Sequence, residues 1–144
     1  MTRFLRRMLS ATKMSPGGGN EGIMTVEMES MLERDVSEFM LELGIPAHLR
    51  GYYYLREAVI LSVSDMELVG SVTKLLYPVI ARRYKTTLQR VERAIRNAIE
   101  VSWERGNTDV FEELFGFSRL AGSARPTNSE YIARIADRVR MERN

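Results

Sequence analysis

The chain of 144 residues has no cysteine and one histidine, His48. The first absence removes disulfide frameworks, cysteine-ligated zinc, iron–sulfur clusters and thiol catalysis together, and it suits a reducing compartment. The two together leave few nucleophile–base pairs. The glycine run Gly17-Gly18-Gly19 follows no strand and precedes no P-loop lysine, so it is not a phosphate loop. No enzymatic activity, cofactor or metal is therefore expected, and His48, two residues after Pro46, is read as a capping or packing residue. No stretch approaches the ~18 uninterrupted apolar residues of a membrane span. The longest candidate, Ala58 to Val63, directly follows Arg56 and Glu57. No membrane partner is expected.

Net charge is also scarce, at +2, but its distribution is uneven. Between Arg82 and Arg96 lie Arg82, Arg83, Lys85, Arg90, Arg93 and Arg96, with Glu92 the one acid among them. Acids gather instead before residue 45 and at Glu112 and Glu113. A basic cluster in a nearly neutral chain is the footprint of a polyanion-facing surface, although a solvated charged face gives the same count.

The prolines are few and each sits where the pattern changes. Residues 1–27 carry Arg3, Arg6, Arg7 and Lys13 ahead of any acid, then the breaker Ser15-Pro16-Gly17-Gly18-Gly19-Asn20. They read as a flexible basic arm or a mis-assigned start, rather than a targeting segment. From Met28 on, residues 28–144 form one helical domain. Met28, Met31, Leu32, Val36, Phe39, Met40 and Leu43 mark one helical face, stopped by Gly44-Ile45-Pro46. A second helix is predicted from Leu49 or Gly51 to Val63, burying residues among Tyr53, Leu55, Ala58, Val59, Ile60 and Leu61. Ser64-Asp65 reads as the cap of a third, carrying Leu68, Val72, Leu75 and Leu76, with a kink or fresh start at Pro78. The turn Tyr84-Lys85-Thr86-Thr87 ends in an N-cap threonine for a fourth helix, Leu88 to Arg105. A short fifth helix follows from Asp109 to Phe115, then a polar loop over Arg119 to Arg125. The last helix opens at Pro126 and buries Ile132, Ile135, Ala136 and Val139. No strand pattern of useful length occurs. The expected fold is all-α, a six-helix bundle containing a helix-turn-helix over about 74–105, of the winged-helix-like response-regulator effector class but without strands.

The fourth helix carries the functional signal. At 100° per residue, Leu88, Val91, Ile95, Ala98, Ile99 and Ser102 share an arc of about 100° and face the core, with Trp103 at its edge as a packing anchor. Gln89, Arg90, Arg93, Arg96, Asn97, Glu100 and Glu104 lie opposite. The bases occupy the first half and the acids the second, against the helix dipole. A recognition helix has reason for that order, because its N-terminal half enters the major groove. Arginine suits guanine, asparagine adenine, and glutamate the cytosine amino group. Arg90, Glu92, Arg93, Arg96 and Asn97 are thus candidate base readers, with Glu92 alternatively an i,i+4 partner of Arg96. Arg82, Arg83, Lys85, Thr86, Thr87 and Gln89 are candidate phosphate contacts, which set register rather than sequence. Tyr52, Tyr53 and Tyr54 point in three directions on a helix, so burial with partial exposure is expected of them rather than a stacking platform for single strands.

The segments GIPAHLRGYYYLREAV, SVTKLLYPVIARRYKTT, RVERAIRNAIEVSWERGN and RPTNSEYIARIADRVR resemble the C-terminal effector domain of the stage-zero sporulation master regulators, response regulators of endospore-forming bacteria. The resemblance runs from near Val36 to Arg140. It implies a transcription regulator that binds double-stranded promoter DNA at a TGTCGAA-like box, often in tandem copies, in the nucleoid of the bacterial cytoplasm. It implies base and phosphate contacts by Arg90, Glu92, Arg93 and Arg96; the next position, usually histidine, is Asn97 here. It further implies a surface for the RNA polymerase sigma subunit at Asn107, Asp109, Val110, Glu112, Glu113 and Phe115, and self-association on tandem boxes through the last helix. A receiver of the usual doubly wound kind needs roughly 120 residues, and about 35 precede the match. The expectation is a regulator lacking its phosphoacceptor receiver, binding DNA constitutively or competing with a full-length paralogue. The rival reading is an interaction protein that binds polymerase or such a paralogue rather than DNA.

Overall fold

The computed structural model describes residues 26–116 and 124–143. Of the arm or mis-assigned start expected over 1–27, residues 1–25 fall outside them, while Val26 and Glu27 belong to the first helix; most of the loop expected over Arg119–Arg125 also falls outside. Six α-helices account for most of the described residues, which include no strand: α1 (Val26–Glu42), α2 (Arg50–Ser64), α3 (Tyr77–Arg83), α4 (Leu88–Arg105), α5 (Thr108–Phe115) and α6 (Asn128–Arg143). The all-α expectation is met.

Helix α1 buries Leu32, Val36, Phe39 and Met40, the stripe set by its apolar spacing, along with Asp35. It ends in a Schellman turn. Gly44 takes φ +77°, and the amides of Ile45 and Gly44 donate to Met40 O (3.1 Å) and Leu41 O (3.0 Å). A left-handed residue at this position is cheap only without a Cβ.

Helix α2 is the spine, packing on α1, α4 and α6. It buries Gly51, Tyr52, Tyr54, Leu55, Ala58, Val59 and Ser62. Tyr53, one of the residues available for burial by pattern, is 42% exposed, the mixture of burial and exposure expected of the three tyrosines. Gly51 explains the rotation. A Cβ there would stand 2.1 Å from Ala94 O and 2.9 Å from Ala98 Cβ, so the glycine face of α2 lies directly on the backbone of α4. Tyr54, Leu55 and Ala58 follow it inward, one turn and two turns on. Tyr53 is turned out, and the Arg56 guanidinium sits 5.3 Å from its ring centroid.

The segment before α3 departs from the expected single helix. Asp65 does cap it, accepting from Glu67 N at 3.1 Å, but Met66–Ser71 is a 3₁₀ helix and Val72–Leu76 a π turn. The physical cause is Pro78. In an α-helix its ring would strike the carbonyl four residues back and supply no donor to it. A wider turn, with Tyr77 N donating to Val72 O, precedes the proline, which then sits in the first turn of α3. The fresh start expected at Pro78 is thus present, one residue earlier.

Helix α6 opens on a capping box: Glu130 N donates to Thr127 Oγ1 (3.2 Å) and Thr127 N to Glu130 Oε1 (3.3 Å). It buries Ile132, Ile135, Ala136 and Val139 as expected, and also Tyr131. That phenol reaches Ser102 Oγ at 2.6 Å, and Ser102 Oγ donates to Leu43 O at 2.7 Å. With the serine proton so committed, Tyr131 is the donor of the first bond. Burial pushes its hydroxyl well above the ordinary tyrosine range, which keeps it a donor. This relay joins α6, α4 and the end of α1 in the interior.

The Gly51 contact makes a sharp prediction. Alanine is the better helix former by about 1 kcal/mol, yet its methyl would collide with a backbone carbonyl that cannot swing away. Gly51→Ala is expected to destabilise the domain by about 2–3 kcal/mol net, read as a lower urea midpoint at unchanged slope.

Candidate nucleic-acid interface

Helix α3, the turn after it and α4 build the helix-turn-helix. The turn is a second Schellman motif: Thr86 N donates to Ala81 O (2.9 Å) and Lys85 N to Arg82 O (3.4 Å). Lys85 takes the left-handed position at φ +52°. A non-glycine residue there carries about 1–2 kcal/mol of strain. Thr87 follows in extended conformation and caps α4, its Oγ1 accepting from Arg90 N at 3.2 Å. Four residues, Tyr84 to Thr87, therefore redirect the chain from α3 into α4, the outer two serving as caps.

Helix α4 buries Val91, Ile95, Ala98, Ile99 and Ser102, five of the six residues on the expected core arc, with Leu88 partly buried against the same core. Gln89, Arg90, Arg93, Arg96 and Asn97 are exposed on the opposite side. Their engagements differ. Among the described residues, Arg82, Lys85, Arg90, Arg93 and Asn97 have side chains with no partner. Arg96 is ion-paired with Glu92, one turn back. Arg83 is hydrogen-bonded and ion-paired to Glu57 of α2. Glu57 is only 19% exposed, so the pair is a partly desolvated tie between α2 and α3. The acidic C-terminal half of α4 is also occupied in part, Glu100 pairing with Arg125 at 3.1 Å.

Three placements correct the expected site. Thr86 turns its hydroxyl inward, where Oγ1 is shielded from solvent, and spends its amide on Ala81 O; it offers a phosphate nothing. Val110 and Phe115 are buried in the core, because α5 is amphipathic and shows its apolar side to α6 and Trp103. The exposed part of that segment is Asn107, Asp109, Glu112 and Glu113. Of these, Asn107 caps α5 by accepting from Asp109 N (2.8 Å), and Glu113 pairs with Arg138 of α6 (3.2 Å). Glu92 is half-buried at the rim of the reading face, with its carboxylate on Arg96, as its alternative role required.

One participant is absent from the expected set. Asn128, the first residue of α6, donates through Nδ2 to Tyr77 Oη of α3 (2.9 Å) and to Glu92 O of α4 (3.1 Å). Tyr77 is buried, which raises its pKa, opposed by the Asn128 bond and by the field of Arg96. Nothing local to Asn128 signals these bonds, beyond a polar residue with no capping duty inside a capping box.

The family model described as Sporulation initiation factor Spo0A C terminal matches residues 36–139, well over half of the chain. The chain belongs to that family. It carries the DNA-binding domain of a sporulation initiation factor, a class of transcription regulator. No helix among the described residues is long and apolar enough to cross a membrane.

The strained turn separates two effects of one substitution. Lys85→Gly relieves the left-handed strain and should raise stability by about 0.5–1 kcal/mol, after the entropy glycine costs. If the Lys85 ammonium neutralises a phosphate, the same change lowers affinity for DNA of any sequence and flattens the slope of log affinity against log salt by about 0.9. Denaturation and salt-titrated binding check the two halves.

Proposed function

Proceeding from that membership, we propose that the domain reads a TGTCGAA-like promoter box by laying the N-terminal half of α4 in the major groove. Arg90, Arg93, Arg96 and Asn97 read bases, and Glu92 acts chiefly by orienting Arg96. Arg82, Lys85, Thr87 and Gln89 hold phosphates on either side. Arg83 serves the same end only when its pair with Glu57 opens. The observation that carries this reading is the free state of Arg90, Arg93 and Asn97. A surface whose charges were merely structural would pair them, as the rest of the helix pairs Arg96 and Glu100. Arginine with a free planar fork is suited to guanine, and unpaired asparagine to adenine.

The reading surface is capped and braced by contacts within the domain, so binding is proposed not to require a phosphorylated receiver. A regulator of this kind works in the nucleoid of a bacterial cytoplasm. Asp109 and Glu112, exposed and unpaired among the described residues, are proposed to meet a basic surface of the RNA polymerase sigma subunit. Arg134, Asp137, Arg140 and Met141 line the exposed side of α6, where copies on tandem boxes are proposed to touch.

Binding of the unphosphorylated chain to a duplex with two boxes should exceed binding to a scrambled duplex by about 10³-fold at physiological salt. Arg93→Ala should lose about 1–3 kcal/mol on the boxed duplex and relax preference at one base pair. Equal losses on boxed and scrambled DNA would remove Arg93 from the base readers.

A further inference from the structure

We infer that Asn128 is a positioning residue for DNA reading, holding the turn of α4 that presents Arg96 from its seat at the start of α6. The inference deepens the proposed reading of α4 and rests on it. The amide of Asn128 has only one productive orientation, because Glu92 O accepts and cannot donate. Nδ2 must face it, and the second proton of the same nitrogen goes to Tyr77 Oη. One side chain thereby ties α6 to both helices of the helix-turn-helix. Its hold on Glu92 is doubled in effect: the carbonyl is fixed by Asn128, while the carboxylate of the same residue holds Arg96. Arg96 also lies close enough to Tyr77 for its charge to act on the phenol. Tyr77, Glu92, Arg96 and Asn128 form one connected polar group along the rim of the reading face. Pro126, buried just before the capping box of Thr127 and Glu130, fixes the backbone from which Asn128 reaches.

The chemistry separates this role from plain packing. Asn128→Asp keeps the shape and gains from the helix dipole, since an acid at the first helical position is favourable. It nevertheless replaces a donor with an acceptor facing Glu92 O, and places a carboxylate where it draws Arg96 away from DNA. A stability role alone predicts a lower melting temperature with the boxed-to-scrambled ratio unchanged; a positioning role predicts a loss of reading in a folded protein.

The experiment measures affinity of wild type, Asn128→Asp, Tyr77→Phe and Arg96→Ala, and of the Asn128→Asp/Arg96→Ala double variant, for boxed and scrambled duplexes, with thermal melts alongside. The expected result is about a tenfold fall in the boxed-to-scrambled ratio for Asn128→Asp, with the scrambled affinity retained and a smaller fall for Tyr77→Phe. With Arg96 already removed, Asn128→Asp should have little further effect, a non-additivity that marks coupled residues. An unchanged ratio, equal losses on both duplexes, or losses that simply add to those of Arg96→Ala would overturn the inference and leave the reading of α4 standing. A wild-type chain with no preference for the box would overturn that reading, and this inference with it.

Discussion

The missing side chain at Gly51 lets α2 rest on the backbone of α4, and that contact decides what the rest of α4 is free to do. A helix pressed against its neighbour at Ala94 and Ala98 has one face committed along its whole length. Val91, Ile95, Ile99 and Ser102 continue that face into the core, and the Tyr131–Ser102–Leu43 relay locks its far end to α6 and α1. The opposite face is left to solvent in a fixed orientation. A DNA-reading surface benefits from such rigidity, since a backbone already held in place loses less entropy on binding.

On that face the distinction between free and paired charge matters more than the number of arginines. Arg83 and Arg96 are held by Glu57 and Glu92, while Arg82, Lys85, Arg90 and Arg93 have no partner among the described residues. An exposed ion pair contributes little to stability, on the order of 0–1 kcal/mol, but it fixes where a guanidinium points. Glu57, largely buried, has the stronger need of its partner, so the Glu57–Arg83 pair is a structural brace between α2 and α3. The Glu92–Arg96 pair sits at the edge of the reading face and is connected through Glu92 O to Asn128. The domain thus offers unpaired cations for phosphates and bases beside one arginine of α4 whose aim is set.

The sequence made local chemistry legible and long-range partnership illegible. The ends of α1 at Gly44, of α5 at Gly116 and the cap of α4 at Thr87 follow from backbone preferences of single residues, and each stands where its residue type placed it. The two faces of α4 follow from helical periodicity alone. Burial of Tyr52 and Tyr54 in place of Tyr53 depended on which side of α2 meets α4, which one glycine decides only once the two helices touch. Burial of Tyr131 was not legible because its hydroxyl partner, Ser102, is distant in the chain. Val110 and Phe115 matched a family surface by position, yet their apolar character sends them to the core. The 3₁₀ and π turns before Pro78 were hidden because proline announces a break without saying how the preceding turns absorb it.

The central claim is that the exposed N-terminal half of α4 and the turn before it form the surface that meets promoter DNA. Backbone amide shifts of the nitrogen-labelled chain, followed by NMR as a boxed duplex is added, test this residue by residue. The account predicts the largest changes at Arg82, Lys85, Thr87, Arg90, Arg93, Arg96 and Asn97, with Glu104, Asp109 and Glu112 nearly unmoved. Changes centred on α5 or on the exposed side of α6, with Arg90 and Arg93 undisturbed, would contradict it.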